Sequence, residues 1–152
     1  MSLLAPLLGC TAGREVADAC SVTYRTGVAP HTGLSARIEL LVTEADTAEA
    51  FHSGTVPVLA TPRLVALCEE ASCKAVEGSL PDGCTSVAKR VQFDHLVPVG
   101  VGGTVWAEAT LDRIEGRRLV FTLSVSESAG LVAAGKLIRV VVDRNAFLTN
   151  VR

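Results

Sequence analysis

Aromatic side chains are scarce in this sequence: four Phe, one Trp and one Tyr make up 4% of 152 residues. A core without rings must be built from Val, Leu, Ile and Ala, a composition that suits strands and one or two tightly packed helices. Runs of like charge are also missing. Fourteen Lys and Arg against sixteen Asp and Glu leave a formal charge of −2, so the long-range field that gathers nucleic acid is absent. No stretch approaches the ~20 consecutive apolar residues needed to cross a bilayer, and the chain is expected to be soluble, without a membrane partner.

Cysteines stand at 10, 20, 68, 73 and 84, an odd number with no C-x-x-C pair, and the three His lie far from them. That excludes a structural zinc site and predicts no metal. Such cysteines are expected to act as small buried apolar residues in a reducing compartment, which points to the cytoplasm. The opening Met1 to Cys10 ends like a lipoprotein cleavage box, but it has no basic segment and Pro6 interrupts its apolar part. Residues 1–33 therefore read as an N-terminal arm of unknown role.

What is present from residue 34 to 152 reads as one domain, since 49% hydrophobic and 20% charged residues suit a single core. Ala36, Ile38, Leu40 and Val42 alternate with Arg37, Glu39 and Leu41, as a half-buried strand does. Residues 45–51 have the makings of one or two helical turns. Thr61-Pro62 starts a helix, with Thr61 as its cap and Pro62 at the first helical position, running to about residue 77. Leu64, Leu67, Cys68, Ala71 and Ala75 fall on one stripe, and Glu70, Lys74 and Glu77 on the opposite side.

Four strands follow. Val87, Val91, Phe93 and His95 are placed on one face of the first, opposite Ala88, Arg90, Gln92 and Asp94. Val105 to Leu111 and Leu119 to Val125 alternate in the same way, and Leu131 to Val142 is apolar on both faces, as an interior strand is. The expected order is strand, helix, then four strands in a meander. A mostly antiparallel sheet and one long amphipathic helix bury both apolar surfaces only if the sheet curves around the helix. That is the α+β hotdog arrangement. Its outer face and edges invite a second copy, so a homodimer is expected.

Two residues are out of place in this pattern. Glu69 has Val65, Ser72, Cys73 and Val76 as helical neighbours, and no cation on that face. A carboxylate on an apolar flank needs hydrogen bonds or a raised pKa, conditions enriched among catalytic acids and bases. His95 continues the apolar face of Val91 and Phe93 and should point toward the helix. His31 and His52 lie in irregular segments and are expected to be exposed. Thr61 is explained by its capping role alone.

The text Leu59 to Glu70, followed by Val91-Gln92-Phe93-Asp94-His95-Leu96-Val97-Pro98-Val99-Gly100, resembles the fluoroacetyl-CoA thioesterase-like branch of the hotdog superfamily. Val105 to Ala109 and Glu115 to Leu119 add to the resemblance, which covers roughly residues 34–148. It implies hydrolysis of a small acyl-CoA thioester, with Thr61, Glu69 and His95 as the catalytic group. No cofactor is implied beyond coenzyme A as part of the substrate. Ala88 stands where the family places a Gly near the acyl group. Phe51 to Val56 occupy the stretch that carries lid phenylalanines in the specialised member, so fluoroacetyl selectivity is not implied. Ala88 and Val56 are the implied substrate-binding positions.

A straight helix separates Thr61 from Glu69 by about 12 Å along its axis. Either the chain before the helix folds back, or the group is completed across a dimer interface. Two rival readings share the fold: a non-catalytic module binding acyl-CoA or another hydrophobic ligand, and a hydratase using Asp94 and His95. Adjacent strand residues face opposite ways, which disfavours the second.

Overall fold

A computed structural model of the chain describes residues 28–152. Most of the expected N-terminal arm, with Cys10 and Cys20, lies outside the described residues. The elements are β1 (Ser35–Leu41), a single 3-10 turn (Glu44–Asp46), α1 (Thr61–Ala75), β2 (Cys84–His95), β3 (Thr104–Glu115), β4 (Arg118–Glu127), β5 (Gly130–Asp143) and a short α2 (Arg144–Thr149). Residues 45–51 yield only the 3-10 turn and looser turns in place of the helical turns expected there. No helix among the described residues is long and apolar enough to cross a membrane.

The five strands form one antiparallel sheet in the order β1-β3-β4-β5-β2. The expected meander holds for β3, β4 and β5 only. β2 pairs with β5 at the far edge, because the chain leaving α1 enters the sheet on the side opposite β1. Two-residue connections drive the meander. Glu115 pairs with Arg118 around Gly116, whose φ of 60° is a conformation a side chain at that position would resist.

α1 lies across the inner face, chiefly against β1 and β3. Leu64, Leu67, Cys68 and Ala71 are buried along its stripe and meet Val105, Ala107, Leu111, Phe121, Leu123 and Leu137 from the sheet. Each fully buried Leu or Phe contributes about 1.5–3 kcal/mol relative to exposure, and this repeated contact holds helix to sheet. Glu70, Lys74 and Glu77 face solvent on the other side, as the spacing predicts. The architecture is the hotdog fold, with the sheet left open at both edges.

The faces of β2 differ from expectation. Its pairing with β5 slips by one residue between Ala88 and Arg90, a bulge that leaves Lys89 unpaired. Residues directly opposite in an antiparallel pair share a face. Ser86 and Ala88 pair with buried Val141 and Arg139, while Val91 and His95 pair with buried Leu137 and Ala133. Ala88 thus joins Val91, Phe93 and His95 on the inner face, and Val87 turns outward. A strict period of two cannot register an inserted residue.

The outer face is largely polar or charged. Trp106 lies there, its indole N–H donating to Glu39 at 3.1 Å and the Arg37 guanidinium 5.2 Å from its ring centroid. Among the described cysteines, Cys68 and Cys73 are free, the first buried and the second exposed. The expectation of a small buried apolar residue therefore fits Cys68 and not Cys73.

Gly135 permits the close approach of β5 to β2. A Cβ there would fall on the Gln92 carbonyl oxygen and crowd the Phe93 backbone, which cannot give way as a side chain could. Gly135→Ala is expected to lose about 1–3 kcal/mol of stability. The effect should appear as a lower melting temperature, with faster amide exchange concentrated in β2; an unchanged melting temperature would refute it.

Candidate active site

Thr61 is the first residue of α1, and Ala60 occupies the cap position. The Thr61 hydroxyl is engaged elsewhere: Oγ1 lies 2.8 Å from Nδ1 of His95, the last residue of β2. Thr61 is therefore not the cap that its sequence context suggests. Nε2 of His95 is 3.0 Å from the Val97 carbonyl oxygen. Both side chains border a cavity of about 300 Å³ whose other walls include Ala48, Val58, Pro62 and Val97. Small aliphatic walls around two polar groups suit a compact acyl chain. Asp94 is exposed on the opposite face of β2, so the hydratase reading lacks its pair.

Glu69 stands at another place on α1. Its side chain is 38% exposed, and its Oε2 lies 3.9 Å from Nη1 of Arg139 on β5. No cation shares its helical face, as expected; this one comes from the sheet. Arg139 is buried, with Nε donating to Ser86 Oγ at 2.9 Å and Nη2 to the Ser86 carbonyl at 2.8 Å. Nη1 donates to Ser72 Oγ at 3.4 Å, and Ser72 in turn donates to the Glu69 carbonyl at 2.6 Å. A buried guanidinium requires such partners, because an unpaired charge in the core is costly.

Arg139 escaped the sequence reading because it sits within a run taken as apolar on both faces. The signal was its parity with Leu137 and Val141, which places it inward. Cys68, beside Glu69 in sequence, adds no thiolate: burial, with the charge of Glu69, pushes its thiol up to about 12.

The predicted residues thus fall into two separate polar groups. Thr61 and His95 meet at the start of α1 and the end of β2, whereas Glu69 lies with Arg139 and Ala88 farther along α1 and earlier in β2. Among the described residues, Glu69 makes no hydrogen bond to Thr61 or His95, and it does not line their cavity. Ala88 faces Arg139 across the β2–β5 ladder and is exposed. Val56 is 52% exposed and outside the cavity wall, although its loop supplies Ser53 and Val58 to that wall. His31 and His52 are exposed, as expected.

The loop bordering the cavity is closed at its base. Thr47 and Leu59 form a β-bridge, the Ala48 amide donates to the Val58 carbonyl at 2.8 Å, and the Ala60 amide donates to the Asp46 carbonyl at 2.9 Å. Across this base Arg63 Nε donates to Asp46 Oδ1 at 2.9 Å, while the Thr43 amide and hydroxyl each donate to Asp46 Oδ2 at 2.9 Å. Burial pushes the Asp46 carboxyl upward, but the Thr43 amide, the Arg63 guanidinium and the Thr43 hydroxyl outweigh it and hold the pKa below 3.8.

The fold is that of the hotdog-fold thioesterases. Residues 42–145 match the model of the fluoroacetyl-CoA-specific thioesterase family. The chain belongs to that family and is a thioester hydrolase. No curated protein matches it. Among solved structures, a variant of the fluoroacetyl-CoA-specific thioesterase in complex with fluoroacetate and CoA is 25% identical, with a TM-score of 0.72 over 78% of this chain and 99% of that one. A hot-dog-like protein from Thermanaerovibrio acidaminovorans is 26% identical, with a TM-score of 0.72 over 78% and 87% of the two chains. A thioesterase superfamily member from Thermus thermophilus is 24% identical and agrees in fold, with a TM-score of 0.72 over 78% and 88%.

The loop-base clamp has a defined pH dependence. A carboxyl with a depressed folded pKa stabilises the protein above its unfolded value, near 3.8, and the contribution is lost as pH falls through the folded pKa. Asp46→Asn is therefore expected to be less stable than wild type at neutral pH, with the difference closing below about pH 4. Chemical denaturation at a series of pH values checks this; a gap that persists at low pH contradicts it.

Proposed function

We propose that the protein hydrolyses the thioester of a small acyl-CoA, using Thr61 and His95 of one copy with Glu69 of a second. The observation that carries this reading is the Thr61–His95 hydrogen bond at the rim of a small aliphatic cavity. Water adds to the thioester carbonyl carbon, the carbon–sulfur bond breaks, and free acid and coenzyme A thiol leave. Glu69 orients or deprotonates that water, or attacks the carbonyl itself; His95 moves protons, with Thr61 hydrogen-bonded to it. The first turn of α1 carries the positive end of the helix dipole, which favours the oxyanion beside Thr61. Val56 and Ala88 would border the bound acyl-CoA, Val56 from the loop and Ala88 from the Glu69 half.

Topology supports the second copy. β2 is an edge strand, and its inner-face residues Val91, Phe93 and His95 are only half-buried. The same two half-sites are separated by eight residues of α1 and by seven of β2, about 12 and 20 Å respectively. An antiparallel pairing of two β2 edges about a twofold axis near Val91 and Gln92 sets Ala88 and Glu69 of each copy beside His95 and Thr61 of the other. Leu96 and Leu131, exposed at the His95 end, would be covered by the same contact.

Thiol release from a panel of short acyl-CoAs tests the activity. Glu69→Ala and His95→Ala are each expected to lose roughly 10²–10⁴-fold in turnover while remaining folded. The two inactive variants, mixed and allowed to exchange subunits, should recover about one quarter of wild-type turnover, because half of the dimers are mixed and each has one intact site. A mixture as inactive as its parents would reject the shared site. Full turnover in either single variant would reject the residue assignment.

A further inference from the structure

His95 has two ring nitrogens and both are engaged, but their partners differ in kind. Nδ1 faces the Thr61 hydroxyl at 2.8 Å, a group that can donate or accept. Nε2 faces the Val97 carbonyl oxygen at 3.0 Å, a group that can only accept. A neutral imidazole carries one ring proton, so the carbonyl requires it on Nε2 and leaves the lone pair on Nδ1. The Thr61 hydroxyl then donates to Nδ1.

The carbonyl is held from two sides. The amides of Leu96 and Val97 both donate to the buried Val132 carbonyl on β5, at 2.8 and 3.2 Å, which fixes the bend directly after His95. Pro98 restricts Val97 to extended backbone conformations, because its ring clashes with an α-helical residue before it. The Val97 oxygen is thereby returned to the ring two residues earlier.

We propose that the Val97 carbonyl, held by Pro98 and Val132, keeps His95 in the tautomer protonated on Nε2 and makes Nδ1 the atom that exchanges protons at the site. Pro98 is then a positioning residue for the reaction. When Nδ1 accepts a proton from the reacting water, directly or relayed through the Thr61 hydroxyl, which regains a proton from that water, Nε2 keeps its bond to Val97 unchanged. The ring therefore charges and discharges without rotating. This assignment deepens the thioesterase reading, on which the catalytic use of Nδ1 rests; the tautomer itself is measured without substrate.

The experiment is long-range ¹H–¹⁵N correlation spectroscopy on the full chain labelled in its three histidines, at a pH where the rings are neutral. His95 is assigned by the signals missing in His95→Ala. Wild type should show the Nε2–H pattern, and Thr61→Val should keep it, because the carbonyl remains. Pro98→Ala should show a mixed population, with kcat lowered about two- to tenfold and KM unchanged. An Nδ1–H pattern in wild type, or a switch to it in Thr61→Val, overturns the proposal. An unmixed Nε2–H pattern in a folded Pro98→Ala removes Pro98 from the role. Should Pro98→Ala fail to fold, wild type and Thr61→Val still decide the tautomer. Absence of turnover in wild type with an Nε2–H pattern would count against the thioesterase reading alone.

Discussion

The single extra residue in β2 governs which side chains reach the inside of this molecule. With Lys89 bulged out, Ser86 and Ala88 on one side of it and Val91, Phe93 and His95 on the other all face inward. Without the slip, one of those two sets would turn to solvent, since strand faces alternate with every residue. His95 would lose Thr61, or Arg139 would lose the oxygen acceptors of Ser86 that make its burial tolerable. The bulge therefore reconciles the two polar groups on one strand, and α1 can serve both because it crosses the same inner face.

Those two groups solve different electrostatic problems. At the start of α1, a hydroxyl and an imidazole are joined by a short hydrogen bond beside aliphatic walls, with the helix amides close by. Around Glu69, a guanidinium is sunk into the core and satisfied by Ser86 and Ser72, while the carboxylate stays partly exposed. The buried cation therefore faces a carboxylate that solvent can still reach. In the proposed dimer, the free edge of β2 is what would bring the two groups together.

Much of this was legible in the residues. The helical stripe, three of the strand alternations and the outward charges of α1 follow directly from periodicity, because a single buried face imposes them. The oddness of Glu69 and His95 was visible for the same reason: each interrupts a pattern that burial otherwise enforces. What was hidden depends on contacts distant in sequence. The pairing of β2 with β5, the bulge at Lys89 and the docking of Arg139 beneath Glu69 arise from register between strands, which no local window contains. Thr61 shows the limit most clearly, since its sequence context fits a cap while its hydroxyl serves a histidine thirty-four residues away.

The outer face of the sheet holds one more consequence. The chain has one tryptophan, and it is fastened on that face between Glu39 and Arg37, with the sheet between it and the cavity. Its fluorescence therefore reports the integrity of the β1–β3 ladder from the face turned away from the cavity. The molecule carries an intrinsic optical gauge of its own folding.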